Sequence, residues 1–192
     1  MRRIHVLNAN PNTDSFDYKL AQVYYESAIG AGHKATFTHI ADLQFDYNLL
    51  PDKELEPDAK SEQAKLEAAE HIVIVTPVWW NAYPACLKAY FDRLLVPDFA
   101  FSYPHPWPIV NRYIPRKLLK GRSARIISTR DSPALFAPFL GFPIAIGMRF
   151  AVLWFVGIWP VRHTRLTNIR NKSGNQRNDY IKRVEKLARS AK

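Results

Sequence analysis

The residues with the clearest chemical potential lie in the loop Thr76–Tyr83, which contains two adjacent tryptophans. This loop follows Ile72–Val75, a continuous β-branched run that is typical of a strand covered on both faces of a parallel sheet. In open parallel sheets, ligands bind beyond the carboxyl ends of the strands. Trp79 and Trp80 could therefore enclose a flat ligand. The alternative is that one tryptophan is core and the other lies at a subunit interface.

Two further loops should reach the same edge of the sheet. Asn8–Phe16 is polar and leads directly into a helix, so its amides, its hydroxyls and the positive helix terminus could hold a phosphate. The alternative is that Asp14 or Ser15 is an ordinary helix cap. The other loop is Ser128–Pro133. Neither a Walker A loop nor a G-x-G-x-x-G motif is present, which argues against a nucleotide triphosphatase and a Rossmann domain.

These loops belong to a regular alternation of strand and helix patterns. Strands are predicted at Ile4–Leu7, Lys34–Ile40, Ile72–Val75, Ala124–Ser128 and Val161–Leu166, and helices after Ser15, over Asp58–Ala69, after Pro84 and around Val184. The alternation predicts an α/β fold, a doubly wound sheet of about five parallel strands with helices on both faces. All 192 residues form one predicted domain.

The charge of the chain is uneven. The formal charge is +10, and Arg162–Lys192 holds ten Lys or Arg against two acids. Such a surface attracts a dinucleotide, nucleic acid or acidic lipid, and charge alone cannot separate these. Tyr180 is the only aromatic residue in this stretch, which disfavours a nucleic-acid partner. A single cysteine and an N-terminus that enters a strand directly favour the cytoplasm.

Metal and nucleophile chemistry find little support in the sequence. The six histidines show no metal-ligand spacing and are expected mostly at the surface or at strand ends. Cys86 is expected to be a packed thiol rather than a reactive one. The apolar stretch Pro138–Pro160 is interrupted by Arg149 and several glycines, which disfavours a membrane span. We expect a lid and dimer surface there, the alternative being a core helix after Pro143.

One long segment resembles a known family. Thr76–Arg93, continued by Phe99–Tyr103, is similar to the signature P-x-W-W-x-x-x-P-A-x-L-K-x-(aromatic)-x-D-R … F-A-(aromatic)-x-Y of the flavodoxin-like NAD(P)H:quinone reductases. That family includes bacterial general NAD(P)H oxidoreductases and ancillary proteins of potassium efflux systems. Asn10–Phe16 is similar to the family's phosphate loop, and Thr129–Pro133 to its bacterial T-x-D-(T/S)-P loop.

The resemblance implies a flavodoxin-like three-layer sandwich that binds FMN (or FAD) and uses NAD(P)H as co-substrate. The cofactor-binding residues that it implies are Asn10, Ser15 and Phe16 at the phosphate, Pro77, Val78, Trp79, Trp80 and Asn81 along the ring, and Thr129, Arg130 and Asp131 in the third loop. It also implies a homodimer, a quinone-like acceptor and ping-pong kinetics. Phe101 and Tyr103 would come from the partner subunit, and Phe136 would lie near the acceptor.

Three positions depart from the family pattern. Asn10 replaces a histidine, Asp17 stands where an uncharged amide is usual, and Arg130 lies in the third loop. Asp17 should place an acid close to a bound phosphate. Phe136 lies near the position of the active-site tyrosine of the mammalian branch, and no histidine follows nearby, so a Tyr and His proton relay is not expected.

The resemblance leaves other functions open. An azo- or nitroreductase would use the same loops with a differently shaped pocket. A flavin-binding regulatory or electron-transfer subunit would dock onto a membrane transporter or redox partner through Arg162–Lys192.

Overall fold

The structure is a computed structural model that describes residues 1–48, 54–103, 115–132 and 146–191. Its strands are β1 (Arg3–Asn8), β2 (Lys34–His39), β3 (His71–Pro77), β4 (Phe101–Ser102), β5 (Arg116–Lys117), β6 (Ser123–Thr129) and β7 (Val161–Leu166). Five of them form a parallel sheet in the order β2-β1-β3-β6-β7. The strand β3 is central and buried along its whole length, which confirms the prediction from its β-branched run.

The helices also begin and end close to their predicted bounds. They are α1 (Phe16–Gly30), α2 (Pro57–Ala68), α3 (Ala85–Leu94), a π-helix (Gly147–Trp154) and α4 (Gly174–Ser190). Local sequence explains their starts: Ser15 caps α1, Pro57 occupies the first turn of α2, and Ser173 with Gln176 forms a capping box at α4. These caps satisfy amide groups that a helix leaves unpaired.

The helices cover both faces of the sheet, as predicted, and enclose two cores. On one face, Leu20 and Tyr24 of α1 meet Val184 of α4 above β1, β3 and β6. On the other face, side chains of α2, α3 and the π-helix, including Leu87 and Leu153, pack together. This three-layer arrangement confirms the flavodoxin-like fold class. The loops that follow the carboxyl ends of the strands lie at one edge of the sheet, where open parallel sheets bind their ligands.

Some features were not predicted. The short strands β4 and β5 pair antiparallel and form a separate two-stranded sheet. The apolar region after Ile146 forms a π-helix. In the part of the chain that the structure describes, no helix combines the length and apolar character needed to cross a membrane.

A buried polar cluster fixes α2 and α3 against β1 and β2. The carboxylate of Glu62 is fully buried and accepts hydrogen bonds from Thr38 Oγ1 at 2.8 Å and Tyr90 OH at 3.0 Å. His5 Nε2 lies 3.3 Å from Glu62 Oε2, and Lys65 forms an ion pair with the other oxygen. Burial alone would raise the pKa of Glu62, but these contacts outweigh it and lower the pKa to about 2. The carboxylate therefore stays charged and paired at neutral pH.

The histidines only partly follow the prediction. His39 and His71 lie at strand ends, as predicted, although both are buried, and His5 is an exception because it is buried in the middle of β1. Within residues 1–48, 54–103, 115–132 and 146–191, no group of three His, Cys, Asp or Glu side chains could hold a metal.

His71 should make the fold sensitive to acid. Burial, reinforced by the charge of Arg125, lowers the pKa of His71 from 6.5 to about 3. The unfolded chain therefore binds a proton that the folded chain excludes, and stability falls as the pH falls from about 6.5 towards 3. Between pH 7 and pH 4, this group alone should remove about 3 kcal/mol of the unfolding free energy.

Urea unfolding at several pH values measures this effect. A His71→Asn variant keeps an amide close to Ser123 Oγ, which lies 2.8 Å from His71 Nδ1. Its stability should depend less steeply on pH than that of the wild type. Equal slopes for the two proteins over pH 7 to 4 would contradict this account of His71.

Candidate functional site

The structure brings the three predicted loops together at the carboxyl edge of the sheet. Pro77 and Thr129 are register partners, and the Val78 amide donates to the Thr129 carbonyl at 2.8 Å. The Ala9 amide donates to the Val75 carbonyl at 2.8 Å, which places the first loop beside the second. The prediction that these loops meet is therefore confirmed.

Asp17 joins the first loop to the third through hydrogen bonds. Its Oδ2 accepts from Asn10 Nδ2 at 2.9 Å, and its Oδ1 accepts from Thr129 Oγ1 at 2.7 Å. The side chain is buried, and burial raises its pKa, although these hydrogen bonds oppose the rise. Both oxygens thus have partners within the protein. Asp17 is a structural link between loops instead of a free charge that faces a phosphate.

The first loop is shaped by its own side chains. Asn10 Oδ1 accepts from the Asn12 amide at 3.0 Å, and Asn12 Oδ1 accepts from the Asp14 amide at 2.9 Å. Ser15 Oγ caps α1 through the Tyr18 amide at 3.1 Å. The alternative that Ser15 is an ordinary helix cap is therefore confirmed. The side chain of Asn10 is fully engaged in holding the loop, so its contribution to a phosphate site would be indirect.

A groove of about 560 Å³ runs between the beginnings of α1 and α4. The positive ends of both helix dipoles lie there, and Lys19 and Arg177 add positive charge. Arg177 donates to the Ile169 carbonyl at 3.1 Å, yet its Nε is buried without a hydrogen-bond partner. The groove therefore suits an anionic group. Sequence reasoning missed Lys19 and Arg177, because only the packing of α1 on α4 brings them to Ser15.

The two tryptophans lie in a tight turn. Trp79 and Ala82 exchange backbone hydrogen bonds of 2.9 and 2.8 Å, while Trp80 and Asn81 have φ values of 49° and 57°. Positive φ at both central positions defines a type I′ turn, which favours Asn-Gly and disfavours tryptophan. The backbone at Trp80 is therefore strained by roughly 1–2 kcal/mol. Strain of this kind is concentrated at functional sites.

Neither tryptophan belongs to the core. Trp79 is 46% exposed, and Trp80 is fully exposed. The alternative that one of them is core is therefore wrong. The Trp79 amide is used inside the turn, whereas the amides of Trp80 and Asn81 bond to no other described residue. Two aromatic faces and two available donors thus remain beside Pro77 and Val78.

In the third loop, the side chains make contacts within the protein. Thr129 bonds to Asp17, and Asp131 accepts from the Arg170 amide at 2.9 Å and forms an exposed ion pair with the same residue at 3.6 Å. Arg130 is buried to 6% exposure, and its amide donates to the Leu166 carbonyl at 3.0 Å. The side chains of Thr129 and Asp131 are therefore used within the protein.

Phe101 and Tyr103 lie in and directly after β4, outside the three loops. Phe101 stands in β4 and packs against Tyr103 and Phe155, with ring centroids 5.7 and 5.4 Å apart. Tyr103 is 48% exposed. Phe136 lies outside the described residues. Cys86 is buried beside the Ala9 carbonyl and burial raises its pKa, which confirms the packed thiol.

Comparison with known proteins defines the class to which this fold and site belong. Residues 2–188 match the family model described as "Flavodoxin-like fold", so the chain belongs to the flavodoxin-like fold family. A solved structure, Smu.1420 from Streptococcus mutans UA159, superimposes with a TM-score of 0.82 at 24% identity, covering 98% of this chain and 99% of that one.

Two curated relatives carry functional names. The chain is 30% identical over 117 residues to the uncharacterized NAD(P)H oxidoreductase YcaK of Escherichia coli K12, covering 55% of this chain and 59% of the relative. It is also 30% identical over 124 residues to the FMN-dependent NADH:quinone oxidoreductase of Coprothermobacter proteolyticus, covering 63% and 58%. The matched stretches thus span less than two thirds of either relative's length.

Proposed function

We propose that this protein is a flavin-dependent NAD(P)H oxidoreductase that reduces quinones or related small aromatic acceptors. The observation that carries the proposal is the junction of three loops at one sheet edge, held by Asp17 between Asn10 and Thr129. The groove between α1 and α4 is lined by the end of the first loop, and the exposed aromatic turn belongs to the second loop of this junction. A flavin mononucleotide has the same two parts, a phosphate and a flat ring.

We assign the phosphate of FMN to the groove between α1 and α4. The beginnings of both helices, Ser15, Lys19 and Arg177 line it, and the unpartnered Nε of Arg177 supplies a donor. The names of relatives favour FMN over FAD and NAD(P)H as the co-substrate. Asn10 and Asp17 act one step further away, because they hold the loop that presents the amides.

The turn and the third loop would receive the ring. Trp79 and Trp80 offer aromatic faces, and the amides of Trp80 and Asn81 can donate to ring oxygen or nitrogen atoms. A bound flavin supplies the chemistry that passes two electrons and a proton between nicotinamide and acceptor. The protein contributes binding and orientation. Around Pro77 to Asn81 no protein nucleophile is required.

Steady-state kinetics test the proposal. With FMN present, initial rates over a matrix of NADH or NADPH and a benzoquinone should give parallel double-reciprocal lines, since both substrates would use one slot in turn. Intersecting lines would show that both bind together. An absence of any quinone reduction above the rate of free FMN would refute the proposed activity. An azo dye and a nitroarene in the same assay would rank the alternative acceptors.

Replacing the exposed tryptophan should separate stability from function. Trp80→Asn places a residue that tolerates positive φ at the strained position, so unfolding free energy should rise by about 0.5–1 kcal/mol. The variant also loses an aromatic face, so the KM for the quinone should rise severalfold. Denaturant unfolding and kinetics measure the two effects. Tyr47→Asn, at another exposed aromatic, is the control that should leave the KM unchanged. A Trp80 variant that is less stable with an unaltered KM would contradict this role.

We also propose that the active form is a cytoplasmic homodimer. Trp79 and Trp80 are large exposed aromatic residues, and a second copy of the chain would bury them. Phe101 and Tyr103 of one protomer would then complete the acceptor side of the other. Docking of the basic helix α4 onto a membrane protein is a second use that would be compatible with this dimer. Light scattering tests the dimer directly, and a monomer at micromolar concentration would contradict it.

A further inference from the structure

A cluster of arginines lies where β6 and β7 end, on the face that the π-helix covers. We propose that Arg130 and Arg165, with Arg149 beside them, form a binding site for a phosphate group. That phosphate would be either the 2′-phosphate of NADPH or free inorganic phosphate. Only the first of these sources rests on the proposed function.

His163 is the centre of the cluster. In the parallel register, Ser128 faces Arg165, and Ser128 Oγ lies 2.8 Å from His163 Nε2. Arg165 Nε donates to His163 Nδ1 at 3.4 Å, so the imidazole proton is on Nε2 and the ring is neutral. Burial first, and then the charges of Arg165, Arg130 and Arg149, lower the pKa of His163 to about 4. These arginines therefore act on one small region.

Arg130 is the strongest evidence for an anion site. The residue is only 6% exposed, and its backbone is fixed because its carbonyl accepts from the Ile169 amide at 3.1 Å. Its Nε is buried without a hydrogen-bond partner. Arg93 shows how this fold treats another buried arginine, since its guanidinium pairs with the Glu56 carboxylate at 2.8 Å. A buried cation without such a partner is strongly unfavourable.

Arg149 approaches His163 from the π-helix, on the side where β7 begins. Its guanidinium lies over the rings of Phe150 and Trp159, 5.1 and 5.2 Å from their centroids. These rings hold the side chain in place without neutralising it. Its Nε is also buried without a partner. Arg165 is exposed, so a ligand can reach the cluster from solvent.

The described part of the chain supplies no carboxylate partner to this cluster. Among the described residues, no carboxylate forms an ion pair with Arg130, Arg149 or Arg165. The sequences of residues 104–114 and 133–145 contain no Asp or Glu either. A phosphate monoester carries about −1.5 to −2 charges at neutral pH and accepts bidentate hydrogen bonds from arginine. It therefore matches two or three guanidinium groups better than a carboxylate with one charge does.

The place of the cluster suggests one source. Arg130 follows β6 directly and Arg165 is exposed near the end of β7, so the cluster lies on the β7 side of the proposed ring site. NADPH and NADH differ only in the 2′-phosphate, which sits on the adenosine ribose at the opposite end of the dinucleotide from the nicotinamide. A site that holds this phosphate while the nicotinamide lies over the ring would favour NADPH, whereas free phosphate would act as a bound ion that stabilises the fold.

Isothermal titration of the full chain with inorganic phosphate, 2′-AMP and adenosine tests the site without flavin or turnover. Arg165→Gln should weaken the binding of both phosphate compounds at least tenfold. The matched control is Arg162→Gln, an exposed arginine on the opposite face of the same strand, and it should bind like the wild type. Adenosine should bind to none of them. Equal phosphate affinities of the Arg165 and Arg162 variants would overturn the proposal.

Two further measurements separate the sources and guard against misfolding. If 2′-AMP binds at least tenfold more tightly than phosphate, and Arg165→Gln raises the KM for NADPH but not for NADH, the source is NADPH. If 2′-AMP and phosphate bind alike and the KM values do not change, the source is free phosphate. Arg130→Met should raise the melting temperature in phosphate-free buffer, because it removes a buried unpaired cation. A fall in that temperature would count against the site. Because binding is measured without turnover, its failure and that of the reductase activity are distinguishable.

Discussion

Asp17→Ala should weaken FMN binding about thirtyfold while the chain stays folded. The carboxylate holds Asn10 at 2.9 Å and Thr129 at 2.7 Å, and these two hydrogen bonds keep the first and third loops in register. Loss of both contacts should remove about 2 kcal/mol of preorganisation from a site that the side chain itself does not touch. Fluorescence titration of FMN against each variant measures the effect.

Asp14→Ala is the matched control, because Asp14 is an exposed acid of the same loop. Its backbone amide donates to Asn12 Oδ1, and this bond does not depend on the carboxylate. This variant should bind FMN as the wild type does, or slightly better, since it removes a negative charge near the phosphate. Asp17→Asn should give an intermediate loss of FMN affinity. Its side-chain oxygen can still accept from Thr129, but its NH2 group would face the side-chain NH2 of Asn10, which is also a donor. If the Asp14 and Asp17 variants lost equal affinity, simple charge would explain the result and the loop link would be refuted.

Glu62→Ala should lower the unfolding free energy by about 3 kcal/mol or more. The substitution leaves Tyr90 OH and Thr38 Oγ1 without an acceptor and removes the partner of Lys65 in a fully buried cluster. For a chain of this length, the melting temperature should fall by roughly 10 °C. Chemical denaturation at pH 7 and thermal melts measure both quantities.

Glu67→Ala, an exposed acid on the same helix, should change stability by no more than about 0.5 kcal/mol. The stabilisation that Glu62 gives should also depend on pH, because its pKa of about 2 lies below the ordinary value of 4.5. Its contribution is complete above about pH 4.5 and is lost as the pH falls towards 2, so the variant should show a shallower acid slope in that window. Similar losses for both glutamate variants would show that the cluster does not hold α2 in place.

The sequence predicted the sheet well because its signals are local. The β-branched run Ile72–Val75 and the alternation at Val161–Leu166 each carry their pattern within a few residues. The rule that ligands lie at the carboxyl ends of parallel strands then located the three loops without any knowledge of distant contacts. The pairing of β4 with β5 has no such signal, since it joins two-residue strands across residues 104–114.

The details of the site depend on contacts between distant residues. Asp17 is read locally as an acid near a helix start, and only its bond to Thr129, 112 positions away, shows that it links two loops. Arg177 reaches Ser15 because α4 packs on α1. The strained turn at Trp80 runs against local preference, which favours Asn-Gly at those positions. Sites that break local rules are those that sequence patterns cannot reveal.

The most direct test of the central claim is an absorbance spectrum of the purified protein after incubation with FMN and desalting, followed by anaerobic NADH or NADPH. The account predicts that FMN is retained in about one equivalent per chain and that its absorbance near 450 nm bleaches with at least one of the nucleotides. Re-addition of a quinone should restore the colour. A protein that passes through desalting without flavin, or that retains flavin which neither nucleotide bleaches, would contradict the proposed function.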